Sequence, residues 1–334
     1  MSKVRKDRYW IGFDLGGSKM LAVLYDDSFR ILARIRRRTR AQEGAEPGIR
    51  RIIEVVGEAL AAAGIEPQRL AGIGIGCAGP LDLDRGIALE MPNLGWRKAP
   101  LKERLEAAFG CRTVVANDVD AGVYGEYVFG AAAGRRSVVG IFVGTGIGGG
   151  AVYQGEIVRG RTGSCMEIGH LPIVRDGPLC GCGRRGCLEA VAGRLAISAA
   201  AATAAFRGEA PVLLRSAGTD LSQIRSGALK ESINGGDRAV ENIVRHAAAT
   251  IGWAAAGIVN LLRPDAIILG GGLVEDLPKL FQQEFDGALR RQVMPSFNSS
   301  LDVVVAALAG DATVKGAAAW ARQQVTRGEP QGDA

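Results

Sequence analysis

A glycine-rich turn between two apolar runs occurs twice in this chain of 334 residues. The first turn follows residues 9–14 and has the sequence Asp14-Leu-Gly-Gly-Ser-Lys19. The second follows residues 137–143 and has the sequence Gly144-Thr-Gly-Ile-Gly-Gly-Gly150. Because another apolar run follows each turn, both segments predict strand, turn and strand. Their recurrence after 130 residues, from 14 to 144, predicts a duplicated fold with a nucleotide between its two halves.

Both turns have the residue types of a phosphate site. Glycine turns can present backbone N–H groups to a phosphate, and a leading carboxylate such as Asp14 can hold Mg²⁺ through water. The first turn is not a P-loop, because no helix follows it and the Gly-Lys-Ser/Thr ending is missing. Alone, it is equally explained as a structural hairpin turn. The second turn is harder to explain by structure alone, since each interior glycine weakens a strand.

Four of the six cysteines and one of the two histidines lie within residues 163–189. A complete Cys₃His set, the donor set that suits tetrahedral Zn²⁺, is formed by His170, Cys180, Cys182 and Cys187. Since four protein ligands leave no open position, the set predicts a structural zinc site. Reduced core cysteines or a disulfide are the alternatives, and disulfides are rare in reducing cytosol. Zinc does not need the flanking Glu167 and Glu189, which are predicted to bind a polyhydroxylated ligand.

Three further segments contain candidate binding residues. Residues 112–116 predict a strand that ends in Asn117-Asp118, where open α/β folds bind ligands, although a helix cap explains this pair equally well. Asn93 lies in a loop and is predicted to be either a ligand residue or a turn residue. Glycines 270–272 follow a buried strand and open a helix, and they are predicted to lie against an adenosine.

Composition excludes several classes of protein. No run of eighteen apolar residues occurs, so no membrane span is expected. Residues 1–8 are polar and basic without an apolar h-region, which predicts a cytoplasmic protein without a signal peptide. The net charge of +6 is partly concentrated in residues 34–40, which are predicted to form a solvated strand end. Nucleic-acid binding is not expected, because this cluster has neither interleaved aromatic residues nor a reading helix.

Taken in order, these motifs resemble the ROK family of bacterial sugar kinases and repressors. The matching motifs are Asp14-Leu-Gly-Gly-Ser-Lys, Asn117-Asp118, Gly144-Thr-Gly-Ile-Gly-Gly-Gly, Glu167-x-Gly-His170, Cys180-x-Cys-Gly-x-x-Gly-Cys-x-Glu189 and Leu269-Gly-Gly-Gly. The resemblance implies the α/β actin-like ATPase (ribonuclease H-like) fold: two lobes, each with a five-stranded mixed sheet flanked by helices, around a cleft. The small lobe is predicted at 1–118, completed by a C-terminal helix at about 312–326, and the large lobe with the zinc loop at 119–311.

The resemblance also implies roles for individual residues in ATP-dependent phosphorylation of a hexose, first of all glucose, at the 6-hydroxyl. Asp118 would be the general base. The implied sugar-binding residues are Gly79, Asn93, Asn117, Asp118, Glu167, His170 and Glu189. The implied residues for ATP and Mg²⁺ are Asp14, Gly16, Gly17, Ser18, Lys19, Gly144, Thr145, Gly146, Gly148, Gly149, Gly271 and Gly272. One nitrogen of His170 would bind zinc and the other would face a sugar hydroxyl.

Several alternatives stay open. Kinases of N-acetylmannosamine, N-acetylglucosamine or fructose share the motifs, whereas a polyphosphate donor is disfavoured because relatives that use it generally lack the zinc cysteines. A repressor would place a helix-turn-helix domain ahead of the first turn, where only thirteen residues precede Asp14. A non-catalytic sugar sensor is disfavoured because the base and both turns are intact. Cys77 and Cys165 depart from the family pattern, and the resemblance implies a homodimer or homotetramer.

Overall fold

The computed structural model describes residues 8–91, 93–161, 163 and 165–327. The strands are β1 (Tyr9–Leu15), β2 (Lys19–Asp26), β3 (Ile31–Arg38), β4 (Leu70–Cys77), β5 (Leu81–Asp82), β6 (Ile87–Met91), β7 (Trp96–Ala99), β8 (Arg112–Asn117), β9 (Ser137–Val143), β10 (Ile147–Tyr153), β11 (Glu156–Ile157), β12 (Ala266–Gly270) and β13 (Asp302–Val305). Residues 1–7 of the basic N-terminus lie outside the described residues. So do residues 328–334 of the C-terminal segment 327–334, which the sequence predicts to be frayed.

The α-helices agree with most of the helical spacing in the sequence. They are α1 (Ala45–Ala62), α2 (Leu101–Phe109), α3 (Asp118–Phe129), α4 (Leu188–Ala192), α5 (Arg194–Phe206), α6 (Pro211–Ala217), α7 (Ser226–Asn234), α8 (Arg238–Leu262), α9 (Gly272–Asp276), α10 (Pro278–Arg290), α11 (Pro295–Asn298) and α12 (Ala312–Arg327). Among the described residues, one helical stretch, Leu188–Phe206, is long and apolar enough to cross a membrane. The core helix of a soluble protein passes the same test, so this stretch by itself does not indicate a membrane span.

Two five-stranded mixed sheets have the same topology. The first has the order β3-β2-β1-β4-β8 and the second the order β11-β10-β9-β12-β13. In the first, β1 is antiparallel to β2 and parallel to β4; in the second, β9 is antiparallel to β10 and parallel to β12. The two orders coincide when β1 is matched with β9, so the predicted duplication and the predicted five-stranded sheets are confirmed. β5, β6 and β7 form a small antiparallel sheet that the sequence did not predict, and the predicted loop with Asn93 connects β6 to β7.

The described residues fall into two compact units. The first comprises 8–134, 156–165 and 310–327, and the second comprises 135–155 and 166–309. The first unit therefore extends past the boundary predicted after residue 118 and includes all of α3. The reason is close packing of α3 on α12, where a Cβ at Gly316 would lie 1.8 Å from the carbonyl oxygen of Ala121.

Glycines in β1 and β4 explain why the first sheet packs so closely on α12. A Cβ at Gly12 would lie 1.8 Å from the carbonyl oxygen of Val314, and one at Gly74 would lie 1.9 Å from that of Ala317. Because side chains alternate along a strand, Ile11 and other apolar neighbours of these glycines point to the opposite face and pack there with α1. The glycines of β4 therefore allow the backbone of α12 to pack closely against the strand.

The glycine-lined contact predicts a large cost for a single methyl group. Gly74→Ala is expected to lower the free energy of unfolding by about 1–3 kcal/mol or more, because the added carbon meets a backbone carbonyl that cannot rotate away. The control is Gly57→Ala in α1, where a Cβ meets nothing within 4 Å. It is expected to raise stability by up to about 1 kcal/mol through helix propensity. Urea unfolding measures both, and equal midpoints for Gly74→Ala and the wild type would contradict the contact.

Candidate functional site

Asp14 and Asp118 lie at neighbouring strand ends of the first unit. Asp14 is the penultimate residue of β1, and Asp118 begins α3 directly after β8, with β4 between these two strands. Burial and the nearby charge of Asp118 raise the pKa of Asp14 to about 6, although Arg36 opposes them. Burial likewise raises the pKa of Asp118. A pair of half-buried carboxylates with raised pKa values is suited to accepting a proton or holding a divalent cation.

Asn117 is the N-cap of α3, as the capping interpretation of the sequence predicts. Its Oδ1 accepts hydrogen bonds from the backbone N–H groups of Val119 at 2.9 Å and Asp120 at 3.4 Å. Asp118 contributes to the same cap, because its Oδ1 accepts from Val119 N at 3.0 Å. A Cβ at Gly79 would lie 4.0 Å from Asn117 Nδ2, so these two predicted sugar-binding residues are neighbours. Capping through Oδ1 leaves the Nδ2 donors of Asn117 available for a ligand.

The first glycine turn lies against Asn93. The turn closes with a hydrogen bond from Gly16 N to Lys19 O at 3.1 Å, and Gly17, Ser18 and Lys19 are exposed. A Cβ at Gly17 would lie 3.3 Å from both Cβ and the carbonyl oxygen of Asn93. The structure therefore brings a predicted sugar-binding residue to a predicted phosphate turn.

Thr39, which the sequence did not single out, holds this turn from behind. It is completely buried. Its Oγ1 donates to Gly16 O at 2.7 Å and its N–H donates to Ser18 O at 3.0 Å. Arg51 Nη1 donates in turn to Thr39 O at 2.7 Å. The only sequence signal for this role is a threonine within the basic segment 34–40, which the structure places mainly on the edge strand β3.

The second glycine turn is held by the N-terminus of α5. Arg194 N donates to Gly144 O at 3.3 Å, and Leu195 N donates to Thr145 O at 3.2 Å. The Arg194 side chain adds a hydrogen bond from Nη2 to Thr145 Oγ1 at 2.7 Å. A Cβ at Gly144 would meet nothing within 4 Å, so this position faces open space. Gly144 thus leaves room for a ligand to approach the backbone.

Two other glycines near the second turn are explained by packing. A Cβ at Gly146 would lie 1.9 Å from Glu189 Oε2, and one at Gly149 would lie 2.3 Å from Met166 O. Gly148, half-buried, lies between them in β10. Close packing against Glu189 and Met166 therefore accounts for Gly146 and Gly149, which corrects the interpretation that structure alone hardly explains the run.

The third glycine cluster also has a packing role. Gly271 has a φ of 89°, and a Cβ there would lie 2.5 Å from Val143 O. Gly272, at the start of α9, is exposed, and a Cβ there would lie 3.4 Å from Ser226 Oγ. Gly271 thus allows the chain to pack closely against β9. Contact of Gly272 with an adenosine stays a prediction.

His170, Cys180, Cys182 and Cys187 form one cluster in the second unit. Their four candidate ligand atoms all lie within 4.8 Å of one another. The distance from His170 Nδ1 to Cys180 Sγ is 3.7 Å, as is that between the sulfurs of Cys182 and Cys187. Tetrahedral Zn²⁺ with ordinary bond lengths separates its ligand atoms by roughly 3.6–3.8 Å. The cysteines are free thiols rather than disulfides, so the donor set and its spacing fit zinc.

Glu189 links this cluster to the second turn. Its Oε2 accepts from Ile147 N at 3.0 Å, and its Oε1 lies 3.8 Å from Cys180 Sγ. Glu167 is exposed, and its carbonyl oxygen accepts from His170 N at 3.0 Å. The predicted sugar-binding set is thus divided, with Gly79, Asn93, Asn117 and Asp118 in the first unit and Glu167, His170 and Glu189 in the second.

Comparison with known proteins gives consistent matches along nearly the whole chain. The family model described as "ROK family" matches residues 10–324. A glucokinase of Thermotoga maritima is 33% identical over 320 residues, which cover 94% of this chain and 98% of that protein. The structure of a ROK family glucokinase from Streptomyces griseus, in complex with glucose and AMPPNP, is 34% identical with a TM-score of 0.80 and covers 94% of this chain and 99% of that one. A xylose repressor of Bacillus subtilis is 28% identical, covering 82% of this chain and 67% of the repressor.

The raised pKa of Asp14 predicts a pH-dependent effect on stability. Between the ordinary value of 3.8 and about 6, the folded protein keeps a proton that the unfolded chain releases, so ionisation of Asp14 destabilises the fold. Asp14→Asn is therefore expected to melt at a higher temperature than the wild type at pH 8, with the gain shrinking towards pH 4. The exposed Asp84→Asn serves as a control without this trend. A melting temperature at pH 8 that is equal to or below that of the wild type would contradict the coupling.

Proposed function

The chain belongs to the ROK family, whose sugar kinases have the actin-like ATPase fold, and from this premise we propose that it is an ATP-dependent glucokinase that phosphorylates the 6-hydroxyl of glucose. The observation that carries the proposal is Asp118, a half-buried carboxylate at a strand end of a chain that matches glucokinases over 94% of its length. The two glycine turns that the sequence predicts to bind phosphate are also formed in the structure.

Asp118 is proposed to accept the proton of the attacking sugar hydroxyl. A base works best when its pKa approaches the operating pH, and burial moves the pKa of Asp118 upward from that of an ordinary aspartate. Its Oδ1 accepts a hydrogen bond from the backbone of α3, and this bond fixes the orientation of the carboxylate. ATP would supply the phosphoryl group, and Asp14 would hold a Mg²⁺ ion that neutralises phosphate charge.

The turns and the polar side chains near them would position the two substrates. The first turn, held in shape by Thr39, presents its exposed N–H groups, and the second presents the open backbone at Gly144. The proposed partners of the sugar hydroxyls are Asn93, the Nδ2 donors of Asn117, Glu167 and the Nε2 of His170, since its Nδ1 faces the cysteines. Glu189 contributes its remaining lone pairs. Such fixed donors and acceptors supply orientation, which is the main requirement of phosphoryl transfer.

Zinc is proposed as a structural ion in the Cys₃His cluster. The spacing of the four ligand atoms supports the proposal, as does the tight wrapping of the chain at Gly186. There φ is 75°, and a Cβ would lie 1.6 Å from Val174 O. The four protein ligands complete a tetrahedral shell and leave no position for a substrate. The ion would fix the segment that carries Glu189 and His170.

Other kinases and a sugar sensor are the competing functions. The similarity to a xylose repressor, at 28% identity, keeps a sugar-binding protein without catalysis as the second candidate. Asp14 and Asp118 favour the kinase, because two carboxylates at one site serve proton transfer and metal binding rather than sugar binding alone. Among hexoses, glucose is proposed ahead of fructose, N-acetylglucosamine and N-acetylmannosamine from the similarity to glucokinases.

Location and assembly stay predictions. A cytoplasmic protein is proposed on the basis of the sequence. A homodimer or homotetramer is proposed as well, and the second unit has an exposed apolar area that would suit such an interface. Its residues include Leu171 (37% exposed), Val174 (41%) and Trp253 (50%), which line two adjoining surface hollows.

Asp118→Asn tests the proposed reaction. The wild type is expected to release ADP fastest with glucose when ATP and Mg²⁺ are assayed against glucose, fructose, mannose, N-acetylglucosamine and N-acetylmannosamine. Asp118→Asn should lower kcat by roughly 10²–10⁴-fold, because the amide cannot accept the proton. Its dissociation constant for glucose, measured by calorimetry, should change little.

Two outcomes of this assay would contradict the proposal. Turnover of Asp118→Asn within tenfold of the wild type would remove Asp118 from the role of base. Sugar binding without turnover of any sugar by the wild type would favour the sensor. The exposed Asp84→Asn controls for the general effect of replacing an aspartate.

Metal analysis tests the zinc proposal. The wild type is expected to contain about one zinc ion per chain, and Cys182→Ser should lose it together with thermal stability, since structural zinc contributes on the order of 10 kcal/mol to folding in small zinc sites. Cys111→Ser, outside the cluster, should retain the ion. A Cys182→Ser protein with full zinc content and an unchanged melting temperature would refute the structural site.

A further inference from the structure

Arg194 lies at the second glycine turn with most of its donors unused. Its backbone N–H bonds Gly144 O at 3.3 Å, and its Nη2 bonds Thr145 Oγ1 at 2.7 Å. A guanidinium has five N–H donors, so one hydrogen bond to a neutral hydroxyl leaves the rest of the fork free. The side chain is half-buried, so these donors are partly withdrawn from water.

A second arginine lies beside the same face of α5. Ser198 is four residues after Arg194 and therefore on the same helix face. Its buried Oγ donates to Ile224 O at 2.7 Å, which brings the following residue, Arg225, alongside. Burial, followed by the charge of Arg225, lowers the pKa of Arg194. In the part of the chain that the structure describes, neither arginine forms an ion pair with a carboxylate.

Two converging cations without a carboxylate are most stable when an anion binds between them. Arg194 contacts the open backbone of Gly144 through its N–H, and Ser226, the residue after Arg225, lies near Gly272. This side of the second unit thus joins two predicted nucleotide segments through two arginines. Arginine forks match phosphate oxygens bidentately, whereas a neutral sugar offers them no charge.

We propose that Arg194 is a donor-binding residue that contacts the terminal phosphates of the nucleotide, and that Arg225 supplies a second cation to the same phosphates. Thr145 orients the Arg194 guanidinium through its hydroxyl. The inference rests on the proposed kinase function for the identity of the donor, but its prediction concerns binding of phosphates and is measured without turnover.

Arg194→Gln separates charge from packing. The glutamine amide can still donate to Thr145 Oγ1, while the positive charge is lost. Calorimetry of the full chain with ATP, ADP and adenosine is expected to show weaker binding of ATP by roughly tenfold or more, the scale of a charge-assisted hydrogen bond. Binding of adenosine and of glucose should stay within twofold. Arg225→Gln should act in the same direction on ATP with a smaller factor.

The matched control is Arg207→Gln, the same substitution at the exposed C-terminal end of α5, which should leave ATP binding unchanged. Unchanged ATP affinity in Arg194→Gln would overturn the inference, as would an equal loss for ATP and adenosine. If Arg194→Gln fails to fold, Arg225→Gln and Arg194→Lys give the same test; Lys keeps the charge but loses the bidentate fork, so its ATP affinity is expected to be lower than that of the wild type. If the wild type is active and Arg194→Gln binds ATP as tightly as the wild type, only this inference is refuted. If the wild type is inactive but its ATP binding depends on Arg194, only the kinase function is refuted.

Discussion

The contact between Glu189 and the second glycine turn joins the parts of the second unit. The carboxylate fills the space that a side chain at residue 146 would need, accepts from Ile147 N at 3.0 Å and lies 3.8 Å from Cys180 Sγ. A hydrogen bond weakens when its donor and acceptor move apart, so the position of the turn depends on that of the cysteine cluster. The proposed zinc ion would therefore stabilise the shape of a phosphate site that it does not touch.

The first unit holds its own turn in a different way. Here Thr39 has the supporting role that Glu189 has in the second unit. It donates two hydrogen bonds to the turn, from Oγ1 to Gly16 O at 2.7 Å and from N to Ser18 O at 3.0 Å. Arg51 then fixes the Thr39 carbonyl and pairs with Glu43. The two sheets share one strand order, yet their turns are held by unrelated side chains. The common requirement is physical: an exposed turn needs fixed neighbours if it is to present its N–H groups without reorganising.

Sequence patterns predicted the features that depend on local periodicity. Apolar runs around the glycine turns located the β1 and β9 hairpins, and the cysteine spacing located the cluster. The patterns did not predict contacts between distant segments. The purpose of Gly74 depends on Ala317, some 243 residues later (317 minus 74), and no local signal marks Thr39 or Arg194 as supports of a turn. Asn117 shows why alternatives stayed open, because one amide oxygen caps a helix while its nitrogen remains available.

The charges of the two units complement each other in the chemistry they offer. The first unit gathers Asp14 and Asp118; burial disfavours the ionisation of both carboxyl groups, and the charge of Asp118 adds to the effect on Asp14. The second gathers Arg194 and Arg225, and burial followed by the like charge of Arg225 disfavours the charged form of Arg194. Each arrangement costs folding stability, and each is relieved by a different ligand, a cation or a hydroxyl proton in one case and phosphate oxygens in the other. Phosphoryl transfer needs a proton acceptor and neutralised phosphates, and under the proposed function the destabilising charges of each unit would supply one of these two needs.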